Sequence, residues 1–451
     1  MCEYSIRFKN GMLNELRDTM LSDLNKECFA ALLGKTWNTP SGKIITVQEV
    51  VYPSTNDLES SSLVSVRIKK EFVAGLLESI KNRIDVDTYL EVHTHPFAED
   101  KVGFSIVDDA DEKRFSSYLD NFWPTMNYAS IVLSKTMYDA RFWVCNERMH
   151  YEAEIKTQLI SEQIYKTGSL SENKLDDTMT AIFDRSILAL GLETMRKIMS
   201  GQKIAVVGVG GLGSVIAESL IHMGFQHLIL IDNDKLELSN LNRITGASFE
   251  DAVGNLYKVD VVAKYLKSIN PHCFIETHKL NILDEEAEHV MVQADWIIVG
   301  TDNHASRFKT QEYAFKYYIP FITAGVNISI SGNSITDISG EVITIKMGDS
   351  YCLSCFNRVN YDAIAAESHP DEKVRAGVVS KGYVTGKEVK EPAVKTLNAI
   401  VGNLAVESLV NQFTERQGTT AILVYENNKT PTTYEDAESL VNRRLDCNVC
   451  G

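Results

Sequence analysis

Two α/β domains in tandem are predicted for this 451-residue chain. Three observations predict them. Residues 1–150 mix strand and helix signals around a strand that ends in two histidines. From Lys203 onward a β-α-β alternation opens on a glycine-rich turn, and the intervening residues 151–180 are polar and charged. The length allows two or three separate cores, and an apolar content of 44% is ordinary for globular protein, so both halves are expected to fold.

In the first half, residues 27–33 form a mostly apolar run that Gly34 stops, and residues 44–51 read as a strand stopped by Pro53. Phe72, Leu76, Leu77, Ile80 and Ile84 recur at helical spacing. Residues 89–92 read as a strand leading into His93-Thr94-His95-Pro96. A polar helix follows Ser105 to about Phe122, and residues 129–133 and 141–144 close the unit as strands. About 150 residues is an ordinary domain size. The stretch 167–173 is the most linker-like part of the chain.

In the second half (181–451), the strand 204–207 enters the glycine turn. Val215, Ile216, Leu220 and Ile221 give the next helix its apolar face, and Gly224 stops it. Residues 228–231 are the next strand. A helix over 259–269 ends before Asn270-Pro271, as a proline requires. Residues 296–299 are a buried strand ending at Gly300. Such alternation means a doubly wound, mainly parallel sheet with helices on both faces.

A formal charge of −16 argues against a nucleic-acid binder. Residues 2–7 open no apolar leader. The longest weakly polar run, 204–217, is shorter than the roughly 20 residues a membrane helix needs. A cytoplasmic chain without membrane partners is expected. Its eight cysteines then point to metal or catalysis before disulfides.

Two imidazoles at i and i+2 on a strand end point to one side. With one carboxylate they make a three-ligand zinc site with a fourth position left for water, and His93, His95 and Asp108 fit that arithmetic. Zinc lowers the pKa of a bound water to about 7. Glu27 is the candidate to carry the proton to a leaving nitrogen, and Ser105 to donate to a developing oxyanion. Glu27, His-Thr-His-Pro and Ser105-Ile106-Val107-Asp108 together resemble the JAMM (MPN+/JAB) metalloprotease motif over roughly the first 150 residues. The resemblance implies a JAMM-type α/β metalloprotease domain and the same roles: His93, His95 and Asp108 on catalytic zinc, Ser105 at the oxyanion, Glu27 handling protons.

The turn Gly208-Val209-Gly210-Gly211-Leu212-Gly213 opens a helix, where backbone N–H groups face phosphate. Asp232, 19 residues after Gly213, suits a ribose hydroxyl. To this point a nicotinamide enzyme fits equally well. Asn240, Arg243 and Lys258, with Asp302 beyond the strand at 296–299, separate the two readings. Hydride transfer has no need of several cations and a magnesium ligand, whereas adenylation does, because charge builds as pyrophosphate leaves. From about Asp184 the chain resembles the ThiF/MoeB/ubiquitin-activating superfamily, in Gly208–Gly213, Asp232-Asn233-Asp234, Asn240-Leu241-Asn242-Arg243, Lys258 and Gly300-Thr301-Asp302-Asn303. The resemblance implies a Rossmann-like domain that binds Mg-ATP and adenylates the C-terminal carboxylate of a ubiquitin-like protein or peptide. It implies that Asn240, Arg243 and Lys258 hold phosphates, Asp232 ribose and Asp302 magnesium. It also implies a homodimer in which Arg185 is lent across the interface.

Cys352-x-x-Cys355 and Cys447-x-x-Cys450 make a closed tetrahedral set for structural zinc. A disulfide is the weaker alternative in the cytosol. Many relatives in that superfamily carry a loop cysteine beyond the first pair, but residues 357–396 contain none. Cys273 reads as a core residue. The expectation is a bifunctional enzyme acting on a ubiquitin-like or sulfur-carrier protein, with a conjugating enzyme or sulfur donor as a further partner. Peptide adenylation or sulfur transfer in a cofactor pathway, with hydrolytic maturation, stays open beside it. So does a non-catalytic scaffold that binds ubiquitin-like proteins.

Overall fold

The computed structural model describes residues 3–98, 101–156, 165–166, 177–332, 334–368, 392–414, 416, 418, 420–444 and 446–450. The chain divides into two compact units, Met1–Asn173 and Lys174–Gly451. The linker-like stretch 167–173 lies outside the described residues.

The first unit is built on strands β1 (Glu3–Arg7), β2 (Phe29–Thr39) and β3 (Gly42–Val51), with a separate hairpin of β4 (Leu58–Ser62) and β5 (Ser65–Ile68). It continues through β6 (Thr88–Thr94), β7 (Asn127–Leu133), β8 (Met137–Val144), β9 (Met149–Glu152), β10 (Glu154–Lys156) and β11 (Tyr165–Lys166). The main sheet runs β10-β1-β3-β2-β6-β7-β8-β11, with β9 against β8. Helix α1 (Met12–Met20) packs Leu13, Leu16 and Met20 on one face, against Leu90, Val92 and Ile131. Helices α2 (Lys70–Ile80) and α3 (Ile106–Phe122) pack Leu77, Ile80 and Leu119 on the other, against Tyr89, Tyr128 and Trp143. Strand alternation therefore turns His93 towards the face that α3 covers.

Three details differ from the sequence expectation. Gly34 does not stop its strand: β2 runs through it to Thr39. The pairing with β3 shifts register at Leu33/Gly34, and a Cβ at Gly34 would lie 2.9 Å from Cγ2 of Ile45, so this glycine lets a bulge close on the neighbouring strand. The helix over 72–84 ends at Ile80, and Ile84 is 91% exposed beyond it. Residues 149–156 belong to strands of the first sheet, β9 on β8 and β10 parallel to β1.

The second unit begins with short helices α4 (Asp177–Ile182), α5 (Asp184–Leu190) and α6 (Leu192–Met199). Then come β12 (Lys203–Val207), α7 (Gly211–Met223), β13 (His227–Ile231), α8 (Phe249–Val253), α9 (Lys258–Ile269), β14 (Phe274–His278), α10 (Glu285–Met291), β15 (Trp296–Val299) and α11 (His304–Lys316). The unit ends with β16 (Phe321–Ser331), β17 (Ser334–Ile345), α12 (Tyr361–Glu367), a 20-residue helix Lys395–Thr414, β18 (Ile422–Glu426) and β19 (Thr432–Glu435). The sheet order is β14-β13-β12-β15-β16-β17-β18-β19. Its first five strands are parallel and the rest antiparallel. Gly224 takes the left-handed conformation that caps α7, and Cys273 is buried just before β14. Strand order reverses between β12 and β15, which leaves a crevice at their carboxyl ends. Among the described residues no helix is long and apolar enough to cross a membrane.

Candidate functional site

In the first unit, His93 is the penultimate residue of β6 and His95 follows the strand, its N–H bonded to the Leu133 carbonyl at 2.8 Å. Ser105 caps α3: its Oγ accepts the Asp108 N–H at 3.2 Å and its own N–H donates to Asp108 Oδ2 at 2.6 Å. This capping box fixes the Asp108 carboxylate and leaves the Ser105 hydroxyl proton to be donated. One ligand atom each from His93, His95 and Asp108 lies within 4.8 Å of the others, and His93 Nε2 is 3.7 Å from Asp108 Oδ2. A tetrahedral zinc site with bonds of about 2.0–2.1 Å needs ligand separations near about 3.4 Å. His93 Nε2 is buried without a hydrogen-bond partner, as an atom meant for a metal would be before the metal binds. These residues fit a zinc ion.

Glu27 is 5% exposed, and its Oε1 lies 3.7 Å from His95 Nε2. Burial, reinforced by the charge of Asp108, pushes its carboxyl up to about 7. Burial also holds His93 neutral, its pKa lowered to about 4. The β4–β5 hairpin holds Glu27 in place: its N–H donates to the Ser62 carbonyl at 2.7 Å, and Ser61 Oγ donates to its carbonyl at 3.0 Å. No sequence motif signalled that hairpin, because its serines carry no periodicity.

In the second unit, Gly208 stands at φ +81°, a conformation that favours glycine, and a Cβ on Gly213 would lie 1.8 Å from the Gly208 carbonyl oxygen. The turn therefore closes tightly onto the start of α7. Asp232, half-buried after β13, accepts the Val209 N–H at 2.7 Å and the Asp234 N–H at 2.8 Å. Burial raises its pKa against the pull of Lys258. Lys258 begins α9 and donates to Asp234 Oδ2 at 2.6 Å. Asn240 is buried, its Oδ1 accepting the Glu237 N–H at 3.1 Å. Arg243 donates to the Ser239 carbonyl at 2.8 Å, and its side chain lies against Gly211. Thr301 packs against Gly208, which sets the exposed Asp302 beside the glycine turn; Gly210 faces open space.

The glycine turn, Asp232, Asp234, Asn240, Arg243, Lys258 and Asp302 thus all belong to the carboxyl edge of this sheet. Arg185 stands apart on α5, 92% exposed, with Asp184 as its neighbour at 4.0 Å. Two further residues adjoin the turn from the distant helix Lys395–Thr414. Asn398 lies against Gly211, and Lys395 bonds to Thr245. Only the folded chain brings them there.

The four cysteines form a second cluster. Cys352 Sγ is 3.6 Å from the sulfurs of both Cys355 and Cys447, and Cys355 is 3.7 Å from Cys450. All four are free thiols. A zinc ion with bonds of about 2.3 Å spaces four sulfurs about 3.8 Å apart. Burial pushes the Cys352 thiol up to about 12 and that of Cys450 up as well, while Cys447, against its burial, is lowered to about 6 by the backbone N–H groups of Val449 and Cys450, so a cation is what would make thiolates of Cys352 and Cys450. The residues fit zinc with no open position.

A glycine turn at a reversal of strand order, ringed by a half-buried aspartate and basic side chains, defines a nucleotide-binding α/β domain. Residues 183–449 match the ThiF family, and the chain belongs to it. Ubiquitin-like modifier-activating enzyme 5 of Drosophila ananassae is 29% identical over 222 residues, 45% of this chain and 53% of that protein. The Drosophila virilis protein of the same name is 34% identical over 164 residues, 34% of this chain and 38% of that one. The chain spans about half the length of the curated relatives it matches, or less. Among solved structures, E. coli MccB with ATP aligns at 18% identity and a TM-score of 0.47, covering 61% of this chain and 75% of that one.

Proposed function

We propose that this chain is a bifunctional enzyme acting at the C-terminal carboxyl of a ubiquitin-like or sulfur-carrier protein. The second unit adenylates that carboxylate with Mg-ATP. The first, a JAMM-type metalloprotease, hydrolyses peptide or isopeptide bonds at the same terminus. The observation that carries the reading is Arg243 against Gly211, Thr301 and so its neighbour Asp302 against Gly208, and Lys258 on Asp234 at the same sheet edge, in a chain that also sets Glu27 beside His95 and draws His93, His95 and Asp108 together. Membership of the ThiF family, and relatives named as ubiquitin-like modifier-activating enzymes, support the adenylation half.

In the adenylation, the substrate carboxylate attacks the α-phosphorus and pyrophosphate departs. The N–H groups opening α7, with Asn240, Arg243 and Lys258, offset the charge that collects on the phosphates. Lys258 exchanges Asp234 for phosphate, Asp232 takes the ribose through lone pairs its N–H donors leave unused, and Asp302 would hold magnesium, which would supply further charge to the phosphates. Arg185 serves a second copy of the chain in a homodimer. With no cysteine in 357–396, the acyl group passes to an external acceptor, a conjugating enzyme or a sulfur donor.

In the hydrolysis, His93, His95 and Asp108 would hold zinc, which supplies a Lewis acid and lowers the pKa of water to about 7. Glu27, with a pKa near neutrality, takes the proton from water and delivers it to the leaving nitrogen. Ser105 donates its hydroxyl to the carbonyl oxygen as charge develops there. Cytosolic conditions would keep the four cysteines reduced for structural zinc.

ATP–pyrophosphate exchange, driven by a small ubiquitin-like protein with a free C-terminus, tests the reading. Wild type is expected to exchange label, and Arg243→Ala and Asp302→Ala to lose on the order of 10²–10³-fold. Undiminished exchange in both variants would remove these assignments.

A further inference from the structure

Two of the three candidate zinc ligands stand at the end of a strand, His93 within it and His95 just beyond, and the third stands on a helix. His93 is held in the sheet between β2 and β7. Asp108 sits in the first turn of α3, so its distance from the imidazoles depends on how that turn is held to the sheet. Arg141 of β8 supplies the hold. Its guanidinium donates through Nη1 to Asp109 Oδ1 at 2.5 Å and through Nε to Glu112 Oε2 at 2.8 Å. Its plane lies over Phe104 at 3.8 Å from the ring centre, and the Phe104 ring meets His93 edge-on at 6.0 Å. Phe104 precedes Ser105 and Asp109 follows Asp108, so one side chain grips both flanks of the segment that carries the oxyanion donor and the third ligand. Glu112 is pinned from the sheet as well, accepting Ser130 Oγ at 2.5 Å and Trp143 Nε1 at 2.7 Å.

Stability alone is a poor account of this arrangement. Arg141 is 4% exposed, and its Nη2 is buried without a partner. Apolar side chains replacing the whole Arg141–Glu112 pair would leave neither an unpaired donor nor an unpaired carboxylate, and buried ion pairs contribute little net stability against such a replacement. The guanidinium adds a flat fork that reaches two carboxylates one helical turn apart while stacking on a ring. That is a specification of position.

We propose that Arg141 is a positioning residue for the zinc site, clamping Phe104, Asp109 and Glu112 so that Asp108 and Ser105 are presented to His93 and His95. The proposal rests on the reading of those residues as a zinc site. The test uses the full chain. Zinc stoichiometry and affinity are measured by competition with a chromogenic chelator, and the absorption bands of the cobalt-substituted protein report ligand geometry. Wild type is expected to bind two metals, and His93→Ala/His95→Ala one. Arg141→Ala is expected to keep the cysteine-bound metal and to weaken the other 10–100-fold, with altered cobalt bands. Arg141→Lys restores charge but not the fork, so only part of the affinity returns. Asp109→Asn, at a 54%-exposed side chain, removes one arm without endangering the fold and is expected to give a smaller loss of the same kind. Two metals in wild type, with unchanged affinity and cobalt bands in Arg141→Ala and Asp109→Asn, would overturn the clamp alone. A wild type that binds one metal, unaffected by the histidine substitutions, would overturn the site and the clamp together.

Discussion

The cysteines at 352, 355, 447 and 450 close on one another from two short pairs, whereas His93, His95 and Asp108 leave a coordination position over and have Glu27 beside them. Three of the four cysteines are buried; the histidines and the aspartate are all half-buried. Each cysteine pair is local in sequence and needs only the other pair to complete a tetrahedron. The histidine site draws its candidate ligands from a strand end and a helix start, and the carboxyl proposed as proton carrier from a hairpin-held loop. A full coordination sphere ties chain together, and an incomplete one next to a carboxyl of raised pKa is equipped to react. Donor count and burial separate the two kinds of site before any activity is measured.

The largest effect expected from this contrast is on the cysteine side. Cys447→Ser/Cys450→Ser should remove one zinc and destabilise the second unit by several kcal/mol, on the order of a lost disulfide or more. Calorimetry with metal analysis reads both, and an unchanged unfolding temperature would break the contrast. His93→Ala/His95→Ala should remove the other zinc and all hydrolysis while leaving pyrophosphate exchange intact and shifting stability by about 1 kcal/mol or less. Collapse of the first unit's unfolding transition in that variant would make the open site structural after all.

The effect with the smallest net expression, because its two parts oppose each other, is a pH slope in metal-free protein. Glu27, raised to about 7 from 4.5, costs folding stability as pH rises from about 4.5 to 7, because the unfolded state loses its proton first. His93, lowered to about 4 from 6.5, costs stability as pH falls from about 6.5 to 4, because the unfolded state gains its proton first. The two oppose each other over the shared range, each worth up to roughly 3 kcal/mol. Glu27→Gln should therefore steepen the loss of stability on acidification below pH 6.5, seen by urea titration of chelator-treated protein at several pH values.

What was legible in the sequence was what lies close along it. His93 and His95 share a strand end, Ser105 and Asp108 a capping box, and the glycine turn a single strand-to-helix passage. Those spacings carry geometry by themselves. The partners of these groups were illegible because the fold supplies them from far away: Ser61 and Ser62 behind Glu27, Arg141 behind Asp108, Asn398 against Gly211. Gly34 read as a stop because a bulge and a terminus share the same residue. Residues 151–156 read as linker because β9 is exposed throughout and β10 is three residues long with only Ile155 buried, too short a run to show the alternation that marks a strand.

A metal held in the cysteine cluster would also act on the chain when it is not folded. Metal held between Cys355 and Cys447 encloses the 91 residues that separate them. Closing a loop of roughly that length withdraws about 4–5 kcal/mol of configurational freedom from the denatured ensemble. With metal bound, the four sulfurs would resist unfolding from the denatured side, by leaving less disorder to be gained. A backbone cut inside the enclosed segment would then leave two pieces that stay joined through the metal even in denaturant, and that part there when the ion is withdrawn.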